Sequence, residues 1–233
     1  MYDRFFSGTA GFRPARIFEI GIWKAGSAVF FAEVFDVEKL IAIDRKRQSD
    51  LTANTLTHLD PWLKRNEKRA KLYFEVDQED APRLREIVRR EFSDALDLVL
   101  DDGSHLYGPT KRSFEALFPY LSPGGWYVIE DWNWALISAF QRAGHPWALE
   151  VPMSRLISEV LALAGARRDV IPEIRVSGQI AFIQRGPAQL DDSFSIEQST
   201  PHPPYGRVGV LVRRAWWAAS RFGSNLAGRR RSR

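Results

Sequence analysis

The stretch ARIFEIGIWKAGSA, residues 15–28, decides the fold. Its first six residues form a short apolar run that closes on a glycine, the pattern of a buried strand, and residues 27–35 then carry apolar side chains at helical spacing. A strand, a glycine turn and a helix in that order open a strand–helix–strand unit. The alternation continues outward. KLIAI (39–43) reads as a second buried strand ending at Asp44, KLYFEV (71–76) as a third, ALDLVL (95–100) as a fourth and WYVI (126–129) as a fifth. Helix-prone segments lie between them at 46–70, 82–92 and 111–120, and further helices are predicted at 134–142 and 153–164. Crossovers of this kind imply an α/β fold with a mostly parallel sheet covered on both faces. Two last strands, 173–176 and 179–184, joined at Ser177-Gly178, predict a hairpin that adds one antiparallel strand.

One domain is expected over residues 1–186, with its compact part beginning near residue 12. A linker with Pro201, Pro203 and Pro204 is expected at 187–206, and a basic Trp/Arg tail at 207–233. Among 233 residues there is no cysteine, which excludes a disulfide scaffold, thiolate metal sites and a cysteine nucleophile. The net charge of +4 is misleading: residues 207–233 hold eight arginines and no acid, so residues 1–206 carry 25 basic and 29 acidic side chains. The basic balance belongs to the tail and does not argue for a nucleic-acid substrate. No apolar run reaches about 18 residues, and MYDRFFSGTA is no secretory signal, so a cytoplasmic protein is expected.

Ligands of open parallel sheets bind past the carboxyl ends of the strands, where strand order reverses. The first turn there runs from Glu19 through Gly21, Trp23 and Gly26 to Ser27. A phosphate-cradling loop requires Lys and then Ser or Thr after its second glycine, whereas Gly26 is followed by Ser27 and Ala28. A dinucleotide turn requires GxGxxG, and Trp23 holds the middle glycine's place. S-adenosylmethionine carries no phosphate. Its amino and carboxylate groups need an acid, amides and a close-approach glycine, which Glu19, Gly21, Gly26 and Ser27 offer. Asp44 at the second strand's tip is placed to accept both ribose hydroxyls, and Asp77 at the third to take the adenine amino group. Each acid alone reads equally well as a helix cap or a solvated strand end. Four strands ending in acid (Glu19, Asp44, Asp77 and Asp101-Asp102) suit a ligand with several donors and a positive sulfonium.

Adjacent strands would also bring Asp102, Glu130 and Asp131 together. Three close carboxylates raise one another's pKa unless a cation sits among them, and an all-oxygen set suits Mg²⁺ or Mn²⁺. Helix capping is the rival reading for Asp101 and Asp131. His105, in the run DDGSH, is able to be neutral and accept a proton, or is simply a loop residue. Trp132 and Trp134 read either as platforms for a pyranose or as packing aromatics.

Three segments carry a family likeness: IFEIGIWKAGSA (17–28), VDQED (76–80) and LDDGSHLYGPTKRSFEALFPYLSPGGWYVIEDWNW (100–134). Through them the chain resembles the Mg²⁺-dependent sugar O-methyltransferases of macrolide biosynthesis and the related rhamnosyl O-methyltransferase/cephalosporin hydroxylase group. The resemblance implies the Rossmann-like, seven-stranded sheet of class I methyltransferases. It implies Asp102, Glu130 and Asp131 as metal ligands, His105 as general base, and Glu19, Gly21, Asp44, Asp77 and Gln78 around S-adenosylmethionine. Three features depart from the family. Ala25 stands where a glycine is usual, the 46–70 segment is long, and only about 15 residues precede the first strand, so an N-terminal domain is not expected.

The expected function is therefore Mg²⁺-dependent O-methylation of a sugar hydroxyl on a small molecule or glycan precursor. Methylation of a catechol or another small diol is the alternative, and an NAD-dependent oxidoreductase is the more distant one. The tail reads as a basic helix on an anionic membrane, beside disorder or docking on the domain, and a homo-oligomer is left open.

Overall fold

A computed structural model describes Phe5, residues 12–142 and residues 144–200. In chain order the strands are β1 (Arg16–Ile20), β2 (Lys39–Ile43), β3 (Ala70–Tyr73), β4 (Leu96–Asp101), β5 (Leu121–Ile129), β6 (Ile174–Ser177) and β7 (Ile180–Gln184). They pair in the order β3-β2-β1-β4-β5-β7-β6. The first five are parallel, and β7 runs antiparallel to both its neighbours, β5 and β6. This is the seven-stranded sheet the sequence implies, with its hairpin turning at Ser177-Gly178.

The buried side chains alternate along each strand between two cores. Phe18, Ile41, Val99 and Tyr127 face α3 (Ala81–Phe92), α4 (Tyr107–Leu117) and α5 (Ser154–Ala166). Ile17, Leu40, Leu98 and Trp126 face the other way, against α1 (Gly26–Phe35) and α2 (Ala53–Arg65). Strands buried on both sides explain why the segments read as continuous apolar runs.

Register places the functional edge. Ile20 pairs with Ile43 on one side and Asp101 on the other, and Asp101 pairs with Ile129. The next amides prolong this ladder: Gly21 donates to the Ile43 carbonyl at 2.9 Å, Asp102 to Ile20 at 2.9 Å and Glu130 to Asp101 at 3.0 Å. Gly21, Asp44, Asp102 and Glu130 are thus each the first residue past a strand, on one edge.

Three expectations change. The helix expected at 134–142 is replaced by single 3-10 turns at Trp134–Leu136 and Ser138–Phe140. The third strand stops at Tyr73, because the amides of Glu75 and Val76 turn to the Lys46 and Asp44 carbonyls. Residues 187–200, expected as the start of a linker, share the compact unit of the domain. There α6 (Ile196–Ser199) docks through buried Ile196, and Phe194 packs 5.7 Å from the Phe118 ring. The rest of the expected linker, 201–206, and the expected tail, 207–233, lie outside the described residues.

Candidate active site

A cavity of about 590 Å³ opens at this edge, within the range of small-molecule sites. Its wall includes Gly21, Trp23, Asp44, Asp77, Gln78 and Asp102. Gly103, Ser104, His105, Leu106, Pro109, Asp131 and Trp134 continue it.

The glycine turn is built for close approach. Gly21 has φ +101°, and a Cβ there would sit on the Asp102 carbonyl oxygen. Asp44 holds the turn from the side: its Oδ2 accepts the amides of Ile22 at 3.0 Å and Trp23 at 3.1 Å, and its Oδ1 accepts that of Lys46 at 2.9 Å. Gln78 does the same for the opposite wall. It is buried, its Oε1 accepts the Ser104 amide at 2.8 Å, and a Cβ on Gly103 would strike that oxygen. Asp77 accepts the Glu79 amide at 2.9 Å, which fixes the loop after β3.

Not every residue expected at the donor site reaches the cavity. Glu19 lies on the α1 side of β1, where the Ser27 hydroxyl donates to its Oε1, so Glu19, Gly26 and Ser27 stand behind the wall. Glu19 is fully buried and its Oε2 has no partner among the described residues. Burial pushes its carboxyl up to about 8, only partly offset by the Ser27 hydrogen bond. Asp101 turns into the other core, accepting the Ser113 hydroxyl at 2.6 Å and the Tyr127 hydroxyl at 2.7 Å. It ties β4 to β5 and α4 and is a structural hub. Strand alternation is the reason, since Asp101 shares the face of Val99.

At the far end of the cavity, one donor atom each from Asp102, His105 and Asp131 lies within 4.8 Å of the others. Burial, then the charges of Glu130, Asp131 and Asp101, push the Asp102 carboxyl up to about 7. Such crowding of acids is what a divalent cation relieves. Glu130 adjoins this group without lining the cavity. His105 has φ +56°, and its Nε2 stands 3.9 Å from Asp102 Oδ1. Burial lowers its pKa against the opposing pull of Asp131 and a hydrogen bond to the Glu130 backbone, which leaves the imidazole neutral at pH 7.

An aromatic cluster closes over His105. The Trp134 ring lies 4.3 Å from the imidazole, and Trp147 packs edge-on to Trp134 at 4.8 Å. Trp147 Nε1 donates to the His105 carbonyl at 3.0 Å. Trp132 packs against the core and does not face the cavity, so of the two tryptophans weighed as sugar platforms only Trp134 is placed for it. Sequence reasoning missed Ser104 and Trp147. The first was legible in the DDGSH run, whereas the second sits in an aperiodic segment with no motif.

Residues 18–132 match the family model described as a methyltransferase domain. Mycinamicin VI 2''-O-methyltransferase of Micromonospora griseorubida is 34% identical over 137 residues, which are 56% of this chain and 30% of that protein. Demethylmacrocin O-methyltransferase of Streptomyces fradiae is 31% identical over the same shares, 56% and 30%. Among solved structures, the MycE methyltransferase of the mycinamycin pathway, in complex with Mg, SAH and mycinamycin VI, is similar with a TM-score of 0.56 and 29% identity. That match covers 79% of this chain and 48% of the other. The chain thus spans about a third of the curated relatives and about half of the solved one.

Proposed function

We propose, from the match of residues 18–132 to the methyltransferase-domain model, that the chain methylates a sugar hydroxyl, using S-adenosylmethionine and a divalent cation such as Mg²⁺. The observation that carries the reading is the meeting of Asp102, His105 and Asp131 donor atoms at one end of a cavity whose other end is lined by Gly21, Asp44 and Asp77. The relatives named as O-methyltransferases, and the solved relative with Mg and SAH, support it.

In this reading Asp44 accepts the ribose hydroxyls, and Asp77 and Gln78 border the adenine. Glu19, behind the wall, braces the glycine turn through the Ser27 hydroxyl. Asp102, Glu130 and Asp131 hold the cation, because hard cations prefer carboxylate oxygen to imidazole. When bound, the donor supplies an electrophilic methyl group and the cation lowers the pKa of a neighbouring hydroxyl. His105, neutral and beside Asp102, takes the proton of the acceptor hydroxyl, and its hydrogen bond to the Glu130 backbone holds the imidazole for that transfer. General-base help of this kind is worth about 10²–10⁴-fold. Trp134 shields the reaction from water and offers a ring face to the apolar side of a pyranose.

The test is transfer of labelled methyl from S-adenosylmethionine to free, nucleotide-linked and lipid-linked sugars, with Mg²⁺ or with excess EDTA. Label entering a sugar only with the metal is expected; undiminished transfer in EDTA removes the metal, and transfer to catechols alone removes the sugar. His105→Ala should lose activity about 10²-fold or more while Mg²⁺ binding persists. Loss of Mg²⁺ binding in that variant would make His105 a ligand instead.

A further inference from the structure

Trp23 is the largest side chain in the glycine turn, yet its indole is 69% exposed at the mouth of the cavity. Its backbone has φ +41° and that of Ala25 φ +60°, two non-glycine residues in the left-handed region within one turn. Bulky side chains avoid that region, and such backbone persists where its surroundings over-determine it, commonly at ligand sites. Asp44 Oδ2 supplies the constraint through the Ile22 and Trp23 amides, at 3.0 and 3.1 Å. The fold therefore holds an aromatic face at the cavity where burial gives no reason for one. A cation already lies over it: Lys24 Nζ is 5.1 Å from the ring centroid.

Strand order determines what else that face meets. β1 lies between β2 and β4, so the turn after β1 stands between Asp44 at the tip of β2 and Asp102 at the tip of β4. All three turns line one cavity. In S-adenosylmethionine the sulfonium lies between the ribose and the methyl group to be transferred. With the ribose at Asp44 and the acceptor at Asp102, the part beside Trp23 is the positive sulfur.

We propose that Trp23 is a donor-specificity residue, whose π face takes the sulfonium of the bound methyl donor. This rests on the S-adenosylmethionine reading of the cavity. The ring attracts a cation through its quadrupole and a neutral thioether far less. Once the methyl group has left, the sulfur is neutral and that attraction is gone, so Trp23 favours the charged donor over the spent one.

Calorimetric titration of the full chain with S-adenosylmethionine and with S-adenosylhomocysteine separates the possibilities, because the two ligands differ by the methyl group and the charge. Trp23→Leu is expected to weaken S-adenosylmethionine binding roughly tenfold while changing S-adenosylhomocysteine binding less than about twofold. Trp23→Phe, which keeps a ring, should retain most of the affinity. Equal weakening of both ligands, or of neither, overturns the assignment of Trp23 and leaves the cavity's ligand standing. A wild-type chain that binds neither ligand overturns the donor reading and the Trp23 assignment together.

Discussion

At Gly21 the backbone runs at φ +101° directly against the Asp102 carbonyl, so this position admits no side chain for two independent reasons. Gly21→Ala is expected to lose roughly 2–4 kcal/mol of stability in urea unfolding, with donor binding lost as well. Two residues earlier, Glu19 makes the fold sensitive to pH. Its folded-state pKa of about 8 lies above the ordinary 4.5, so the native chain keeps a proton that the unfolded chain releases. Its stabilising effect is fully present below pH 4.5 and is lost as pH rises towards 8. Glu19→Gln should leave stability unchanged at pH 4 and raise it at pH 9, by roughly 3–5 kcal/mol, as read from melting curves at the two pH values. A larger gain at the acid end would contradict the burial of this carboxyl.

Among the elements, β1 and β4 are locked at the end opposite the cavity. Asp97 accepts the amides of Ala15 at 3.0 Å and Arg16 at 2.9 Å, and its other oxygen binds the Arg16 guanidinium at 2.7 Å. Asp97→Ala leaves half-buried donors unpaired and is expected to cost about 2 kcal/mol, measurable in urea. The tips of β4 and β5 predict the opposite response to a ligand. Saturating Mg²⁺ should raise the melting temperature by about 5 °C, and Asp102→Asn should abolish that increment. Much of this was legible beforehand. Four of the parallel strands are followed directly by a glycine or an acid, Gly21, Asp44, Asp102 and Glu130, and Ser177-Gly178 marked the hairpin. What stayed illegible has physical causes. Asp101 and Asp102 are neighbours of identical chemistry, and only the strand's alternation and end point send one to the core and the other to the cavity. Phe194 and Ile196 are isolated apolar residues in a polar run, without periodicity to announce that they dock. Residues 134–150 form single turns, too short for any repeat to show.

For the whole molecule, charge is divided by position: acids crowd one sheet edge, and residues 207–233 hold eight arginines. Among the described residues, no helix is long and apolar enough to cross a membrane. If the arginine-rich segment binds anionic lipid, removal of residues 207–233 should abolish salt-sensitive sedimentation with phosphatidylserine vesicles, and unchanged sedimentation would end that idea. The acidic edge, with Asp44 at its centre, has a wider consequence. In nucleotide-binding turns the backbone N–H groups face outward and gather phosphate oxygens. Here the Ile22 and Trp23 amides already belong to a carboxylate, so an approaching phosphate would meet negative charge in place of hydrogen-bond donors. Adenine and ribose are common to ATP, NAD and the methyl donor, and a turn whose amides are already taken by Asp44 would favour the one whose ribose carries no phosphate. On the proposed function, a single aspartate would then set the donor apart from phosphorylated metabolites.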